Sequence, residues 1–447
     1  MRSCVKKCIV LLLLSCTVLL SGCVATAVDQ MYCLPKRSDE YNNLQQAIDG
    51  AMQGMLYSAP RSGENQQSVQ LADLDGDGTA EAVLYARGTD EKPLKMLIFR
   101  KNQNKYQLTW TLESAGASFD QVEYIQMDNR PGLEIVVGRK VSDQVAGNLA
   151  VYSFGSGRSD LLLSSNYVRF LTCDLNRDGK GDLFVLRTGE TEADLGITEL
   201  YSFAAGITEK TVEARLSMSA ANLRRLLSGA IHGGVPAVFA ASLVDEGTLV
   251  TDIYTMVDGS FKNISWSNEA GTSIQTIRNS YLYARDIDGD GIVELPGIVN
   301  TEGNTSANAS AGHHVILWYT MNQQGNKIGK LYTFHNLLDG WYLQLNDTYA
   351  RQCYVTRSTG AGDEKAYTLL VQDSDTGEND KIMTIFAFSG SDRDEKAVAD
   401  SRFLLLKTEN VTYAARLENH AVAYGITKDV ITASFRLIQT DWKTGET

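Results

Sequence analysis

The chain has few of the residues that staple small secreted domains or mark common catalytic sites. It contains 7 cysteines and 5 histidines among 447 residues, and no Cys-x-x-Cys or Cys/His metal spacing follows position 23. The patterns GxSxG, GxxxxGK[ST] and HExxH are also missing. The sequence therefore gives no support to a disulfide scaffold, a serine hydrolase of the GxSxG type, a P-loop enzyme or a zinc peptidase.

Three cysteines follow position 23, and an odd, widely spaced set is not a disulfide framework. They are Cys33, Cys173 and Cys353. Cys173 stands in a strand-like context, so we predict a buried thiol of the core. A bond between Cys173 and Cys353 remains open at this stage.

Positive charge is scarce, and the formal net charge is −13. No basic stripe is present that could neutralise a phosphate backbone, which argues against nucleic acid as a partner. Proline is rarer still, with 6 residues against 38 glycines. Glycine turns between short apolar or alternating runs predict a chain built mainly from β-strands.

Long apolar runs are absent apart from one near the N-terminus. The chain starts "MRSCVKKCIVLLLLSCTVLLSGC", and an apolar segment of ~12 residues is too short to span a bilayer core of roughly 30 Å. Basic residues before such a segment are typical of a secretory signal. We predict a signal peptide over residues 1–22.

The end of that segment, "LSGC", resembles the lipobox of bacterial lipoproteins. The resemblance implies that Cys23 carries a diacylglycerol and becomes the mature N-terminus, so that the protein is extracytoplasmic and attached to the bacterial cell membrane by lipid. Residues 23–40 would form the tether. A flexible tether of ~20 residues averages about 25 Å end to end, which places the domain close to its membrane.

Three acidic loops share one spacing: "DLDGDGTAE" at 73–81, "DLNRDGKGD" at 174–182 and "DIDGDGIVE" at 286–294. Oxygen-bearing side chains occupy loop positions 1, 3, 5 and 9, and glycine occupies position 6, where it allows a sharp turn that directs the carbonyl of position 7 to the same ion. Hard oxygen ligands in a flexible loop predict Ca²⁺, up to three ions with a structural role. The predicted side-chain ligands are Asp73, Asp75, Asp77, Glu81, Asp174, Asn176, Asp178, Asp182, Asp286, Asp288, Asp290 and Glu294, and the predicted carbonyl ligands belong to Thr79, Lys180 and Ile292.

An EF-hand is excluded because position 12 holds Leu84, Val185 or Gly297 instead of glutamate. The residues after each loop also read as strands rather than helices, which argues equally against a dockerin. An acidic loop with its last ligand at position 9 and a strand after it resembles the FG-GAP or VCBS repeats of integrin α propellers and bacterial surface proteins. That resemblance implies a calcium-bearing β-propeller.

The loops begin 101 and 112 residues apart, about twice a unit of 50–56 residues, which suits a four-stranded blade. Degenerate copies fall midway. One lies near 122–140, where Gln126, Asp128 and Arg130 hold the ligand positions and Glu134 keeps the acid; the other lies near 226–243 and has no acid. We interpret both as metal-free, with side chains such as Arg130 in place of the ion; chance matches to ordinary hairpins are the alternative.

The predicted fold is therefore all-β, a propeller of about 6–7 four-stranded blades over 66–447, with an amphipathic helix at 41–58 before it. Closing such a ring would remove exposed sheet edges. The apolar side of the helix carries Leu44, Ile48, Met52 and Met55, and we expect it to pack on the nearest blade.

Three functional classes remain open. The first is an adhesion-like binding module at the cell envelope with an unknown protein or glycan partner. The second is a polysaccharide lyase or hydrolase, which would need arginine, lysine, tyrosine or acids clustered at one mouth of the propeller channel. The third is an envelope scaffold. His313 and His314 would point to opposite faces of a strand and cannot share an ion there. Four aromatic residues could stack on sugars but are more often core: Trp318, Tyr319, Trp341 and Tyr342.

Overall fold

A computed structural model describes residues 39–439 except 104, 143–145, 156, 192, 205–206, 300–312, 360–363 and 374–376. The predicted signal peptide, Cys23 and Cys33 lie outside the described residues. Within the described part, no helix combines the length and the apolar character needed to cross a membrane.

Twenty-seven strands of the described chain form six antiparallel sheets that follow one another along the sequence. Sheet 1 contains β1 (Leu56–Tyr57), β2 (Val69–Ala72), β3 (Glu81–Arg87), β4 (Leu94–Asn102) and β5 (Lys105–Ser114). Sheet 2 contains β6 (Ser118–Ile125), β7 (Glu134–Lys140), β8 (Gly147–Gly155) and β9 (Arg158–Tyr167). Sheet 3 contains β10 (Arg169–Cys173), β11 (Asp182–Arg187), β12 (Leu195–Ala204) and β13 (Ile207–Ser219).

The second half of the chain repeats this plan with added edge strands. Sheet 4 contains β14 (Leu223–Ile231), β15 (Val235–Asp245), β16 (Thr248–Val257) and β17 (Ser260–Asn263). Sheet 5 contains β18 (Leu295–Val299), β19 (His313–Met321), β20 (Lys327–Asn336), β21 (Trp341–Leu345) and β27 (Phe435–Leu437). Sheet 6 contains β22 (Cys353–Thr359), β23 (Lys365–Gln372), β24 (Asn379–Phe388), β25 (Phe403–Lys407) and β26 (Thr412–Leu417).

Three α-helices and four short 3₁₀ turns complete the described structure. The helices are α1 (Asp39–Ala51), α2 (Arg393–Val398) and α3 (Lys428–Ser434), and the turns are Ala220–Asn222, Ile274–Thr276, Ala350–Gln352 and Ala421–Tyr424. Helix α1 ends earlier than the predicted 41–58, because Gly54 adopts a left-handed φ of 77° and the chain then enters β1. Six sheets correspond to the lower of the two predicted blade counts.

Neighbouring sheets pack face to face in chain order, and each adjacent pair shares an apolar cluster. Strand β3 illustrates this packing. Val83 and Tyr85 face sheet 2, whereas Ala82 and Leu84 face α1. Every residue from Glu81 to Ala86 is therefore buried. A strand covered on both sides needs a continuous apolar run, as "EAVLYA" provides.

Both outermost faces of the array are covered by helices. Ile48 of α1 packs against Leu84 and Phe99 on the outer face of sheet 1. On the outer face of sheet 6, Ala397 of α2 packs against Phe386 and Phe388. No apolar cluster among the described residues joins sheet 6 to sheet 1, so the closed ring expected from the sequence stays a prediction.

Two expectations about side chains are settled by the packing. Trp318, Tyr319 and Trp341 are buried and cannot offer faces to a sugar, which confirms the core position that the sequence analysis favoured for them. Cys173 and Cys353 are both free thiols, which rules out the bond between them. Cys173 is half-buried rather than fully buried, and burial beside Asp182 raises its pKa.

Candidate metal centres

The three acidic loops and their two degenerate copies lie in successive sheets, each at the turn before the second strand of its repeat. We name them loop 1 (73–81), loop 2 (126–134), loop 3 (174–182), loop 4 (232–234) and loop 5 (286–294). Loop 1 connects β2 and β3 of sheet 1, and loops 2 to 4 connect the first two strands of sheets 2 to 4. Loop 5 leads into β18 of sheet 5 after an isolated bridge between Arg285 and Glu294. The predicted repeat of 50–56 residues therefore corresponds to one sheet.

Neighbouring loops are hydrogen-bonded to one another and form a row along one side of the array. The backbone N–H at position 8 donates to the preceding sheet: Leu133 to Asp73 O at 3.0 Å, Gly181 to Gln126 O at 2.8 Å, and Val293 to Ala230 O at 2.8 Å. Loops 3 and 4 are joined by Arg177, whose Nη2 donates to Gly234 O at 2.6 Å. These hydrogen bonds attach each loop to a neighbouring sheet.

Loops 1, 3 and 5 share one backbone geometry. The glycine at position 6 has a left-handed φ of 83°, 82° and 83° in Gly78, Gly179 and Gly291, which only glycine adopts without strain. Its N–H donates to the position 1 carboxylate, at 3.0 Å from Asp73 and at 2.8 Å from Asp286. The turn predicted from the sequence is therefore present.

Position 9 holds the loop to its sheet. One carboxylate oxygen of this residue accepts the backbone N–H of position 2 in four loops: 2.9 Å for Glu81, 2.7 Å for Glu134, 3.0 Å for Asp182 and 3.1 Å for Glu294. All four side chains are buried. The acid thus has a structural role in every acidic loop, including the one without a full ligand set.

Loop 1 brings Asp73, Asp75 and Glu81 together, with one oxygen of each within 4.8 Å of the others. The second oxygen of Glu81, Oε1, is buried and has no hydrogen-bond partner. Burial, helped by the charges of Asp75 and Asp77, raises the pKa of Glu81 to about 7. Positive charge is supplied by Arg100 on β4, whose Nη2 lies 2.6 Å from Asp75 Oδ2 and 2.9 Å from Asp77 Oδ2.

Loop 5 has a comparable cluster, formed by positions 1, 3 and 5 instead of 1, 3 and 9, and a lysine lies beside it. Asp286, Asp288 and Asp290 form its cluster of converging oxygens. Glu294 Oε1 is buried without a hydrogen-bond partner, and burial raises the pKa of Glu294 to about 7. Lys330 on β20 contacts Asp290 and lies 3.7 Å from Asp288 Oδ2, and its hydrogen bond lowers the pKa of Asp290.

Loop 3 differs, although the sequence predicts it as the third site. The Asn176 side chain donates through Nδ2 to Asp178 Oδ2 at 3.2 Å and to Asp182 Oδ1 at 3.3 Å. Ser202 on β12 donates to the same Asp182 oxygen at 2.6 Å. The oxygens that would face an ion therefore already have donors.

Loop 2 contains a side-chain cation, as its interpretation as metal-free requires. Arg130 Nε lies 2.6 Å from Asp128 Oδ2, and Ser153 donates to Glu134 Oε1 at 2.9 Å. The sequence analysis did not identify Ser153, Ser202, Arg100 or Lys330. They lie on later strands, and the register of each sheet brings them to the loop.

The donors of loops 1 and 5 fit a hard cation. Carboxylate oxygens converge, one buried oxygen in each loop lacks a partner, and the short flexible turn suits the irregular coordination of Ca²⁺ better than the strict octahedron of Mg²⁺. The position 7 residues donate their N–H to position 5, at 2.8 Å for Thr79, 2.8 Å for Lys180 and 2.9 Å for Ile292. Coordination by their carbonyls stays a prediction.

No protein-family model matches the chain, and no curated protein matches it. Solved structures similar to it include the exotype rhamnogalacturonan lyase YesX, at 13% identity, with 81% of this chain and 72% of that chain covered and a TM-score of 0.28. A rhamnogalacturonan lyase of Bacillus licheniformis is similar at 13% identity, 73% and 72% coverage and a TM-score of 0.29. Saccharomyces cerevisiae Sqt1 is similar at 10% identity, 81% and 100% coverage and a TM-score of 0.31. The site is therefore interpreted from the residues of this chain.

Proposed function

We propose that this protein is a lipid-anchored, calcium-stabilised, propeller-like binding module on the extracytoplasmic side of a bacterial membrane, with a protein or glycan as its partner. The observation that carries the calcium part is the buried, unpartnered oxygen of Glu81 and of Glu294 inside two acidic loops. An ionised carboxylate kept from water needs a compensating charge or donor, and Ca²⁺ supplies the charge at that point.

The acids of the loops support a structural use of the metal. Both oxygens of Asp73 accept backbone N–H groups of their own loop, from Gly76 at 2.8 Å and Gly78 at 3.0 Å. A carboxylate that is occupied in this way shapes the turn and is poorly placed to act as an acid or base on a substrate. The ion would then stiffen a turn between strands and, through the row of hydrogen bonds, the contact between neighbouring sheets.

The location follows from the lipobox-like "LSGC" and Cys23. Lipid rather than a basic surface would hold the protein at the membrane, in keeping with a net charge of −13. A binding role, unlike an enzymatic one, requires no reactive centre. Crosslinking in cells and identification of the captured partner tests it against an envelope scaffold, which would yield only assembly components.

Thermal unfolding of the purified protein tests the calcium part. Melting curves are recorded in excess EDTA, in millimolar Ca²⁺ and in millimolar Mg²⁺. A ligand that binds only the native state stabilises it by RT ln(1 + [L]/Kd), about 2.7 kcal/mol at a hundredfold excess over Kd. We expect a rise in melting temperature with Ca²⁺ that Mg²⁺ does not match; identical curves, with no calcium found in untreated protein, contradict the proposal.

A second candidate is an enzyme acting on an acidic polysaccharide, favoured by one cluster. At the end of sheet 4 opposite to loop 4, the Arg225 guanidinium lies 5.9 Å from the ring centre of Tyr283. Arg224 and Tyr281 are exposed beside them, and the nearby arginines offset part of the rise in the pKa of Tyr283 caused by burial. Such a cluster could bind carboxylates and stabilise their charge.

A panel of acidic and neutral polysaccharides separates this candidate from a binding module. New reducing or unsaturated ends that are lost in Arg224→Ala but kept in Arg169→Ala, a matched exposed arginine on sheet 3, would identify an enzyme. Binding without cleavage in both variants and the parent would leave the binding module.

A further inference from the structure

The second oxygen of the position 9 acid distinguishes the four acidic loops from one another. Its first oxygen always accepts the N–H of position 2, so that contact carries no information about an ion. In loops 2 and 3 the second oxygen accepts a hydrogen bond from a serine on the next strand. Continuing each strand register by one residue places Arg100 opposite Glu81, Ser153 opposite Glu134, Ser202 opposite Asp182 and Thr320 opposite Glu294.

A serine in this place gives the oxygen a donor. Ser153 and Ser202 donate at 2.9 Å and 2.6 Å, in loops 2 and 3 respectively. In loop 3 the Asn176 amide adds two further contacts, to Asp178 and Asp182. The amide contacts two predicted ligand oxygens, so a cation bound by both of them would have to displace it. Loop 3 is thus satisfied by its own side chains.

In loops 1 and 5 the second oxygen of the position 9 acid has no such donor, although Arg100 pairs with two other acids of loop 1 and Lys330 with two other acids of loop 5. Arg100 turns away from Glu81 Oε1 to Asp75 and Asp77, and Thr320 does not hydrogen-bond Glu294, since its own hydroxyl is buried without a partner. Glu81 and Glu294 are fully buried, with 0% of their surface exposed. Each loop also carries four acids, where loop 3 carries three and an amide.

We infer that loops 1 and 5 each bind one cation of the calcium type and that loop 3 binds none, because Asn176 and Ser202 take the place of the ion. The inference rests on the proposed function, which requires that acidic loops bind calcium, and it fixes both the number and the places of the ions. It also defines Asn176 and Ser202 as the residues that close loop 3 to metal.

Position 5 offers a matched set of variants. Asp77→Asn, Asp178→Asn and Asp290→Asn each remove one charge, and each keeps an Oδ1 acceptor for the N–H of position 7. The full chain, purified in detergent, is stripped with EDTA and titrated with Ca²⁺, and bound ions are counted by elemental analysis and native mass spectrometry. We expect two ions in the parent and in Asp178→Asn, with affinities within about twofold of each other. Asp77→Asn and Asp290→Asn should each weaken one site at least tenfold.

The converse variant opens loop 3. Asn176→Asp combined with Ser202→Ala removes both internal donors and restores the fourth acid, so a third ion should bind. Three ions in the parent, or loss of an ion in Asp178→Asn, overturn the inference and leave the proposed calcium role intact. No ion in the parent overturns both. A double variant that folds and still holds two ions contradicts the role given to Asn176 and Ser202.

Discussion

Glu134 provides a test of the position 9 acid in the loop that we interpret as metal-free. Its two oxygens accept the Met127 N–H at 2.7 Å and the Ser153 hydroxyl at 2.9 Å, and all three groups are buried. Glu134→Ala leaves two buried donors without partners, each worth about 1–3 kcal/mol. The substitution also removes the cost of burying a carboxyl group, which the raised pKa of Glu134 reflects, and this offsets part of the loss in stability. We expect a net loss of about 2–4 kcal/mol.

The loss should appear in the local opening of sheet 2. Hydrogen exchange of the amides at 135–137 in β7, followed by mass spectrometry, reports this opening without requiring two-state unfolding of the whole chain. Since 1.4 kcal/mol is a factor of ten, exchange should be roughly 30- to 700-fold faster in Glu134→Ala. Glu134→Gln retains an acceptor for Met127 and lets Ser153 turn its oxygen to the amide, so its effect should stay below about tenfold.

Calcium provides the control in this experiment. Arg130 pairs with Asp128 in loop 2, and if the arginine takes the place of an ion there, the difference between Glu134→Ala and the parent should be the same in EDTA and in Ca²⁺. Parental exchange in Glu134→Ala would refute the anchoring role of the acid. A difference that disappears in one of the two conditions would refute the interpretation of loop 2 as metal-free.

Other perturbations address loop 1, protonation and the end of the array. Asp75→Ala with Asp77→Ala should weaken metal binding and lower the melting temperature in calcium; equal melting of mutant and parent with and without calcium would mean that loop 1 is not a site. Glu81 and Glu294 each have a pKa of about 7 in the folded protein, against an ordinary value of 4.5. Between these two values the folded state binds more protons than the unfolded state, so the ion-free protein should lose stability as pH rises from about 4.5 to 7. Saturating calcium should remove this trend, and melting curves across pH with and without EDTA check the sign. Ile48→Ala should cost about 2–4 kcal/mol by leaving a cavity under α1, seen as faster exchange in β3 with no change in calcium affinity.

The sequence predicted those features that depend on neighbours along the chain. A glycine at position 6 with acids at fixed spacing defines a turn, and the apolar run after it defines a buried strand, as Gly78 and Glu81–Arg87 demonstrate. Because the repeat is local, its period also located the degenerate loops. The side of the helix that bears Ile48 was predictable for the same reason.

What could not be predicted depends on register. Ser202 reaches Asp182 across 20 residues of sequence, and Arg100 reaches Asp77 across 23. Alternation shows which residues share a face but not whether that face is covered, so the core position of Trp318 was favoured only because large aromatic residues are more often buried. The sequence shows Asn176 in place of an acid in loop 3, but the hydrogen bond from Ser202 could be found only once β12 was in place.

The helices at the two ends of the array bear on how such a protein can change in length. A closed ring has a fixed circumference, and an extra sheet would force every neighbour to a new angle. If the ring is open, sheets whose first and last apolar faces are covered by α1 and α2 have no such constraint, since each sheet interacts only with the ones beside it. In that arrangement, duplication or loss of one unit of 50–56 residues would leave both covering helices in place, so gene duplication could lengthen this domain by one sheet at a time.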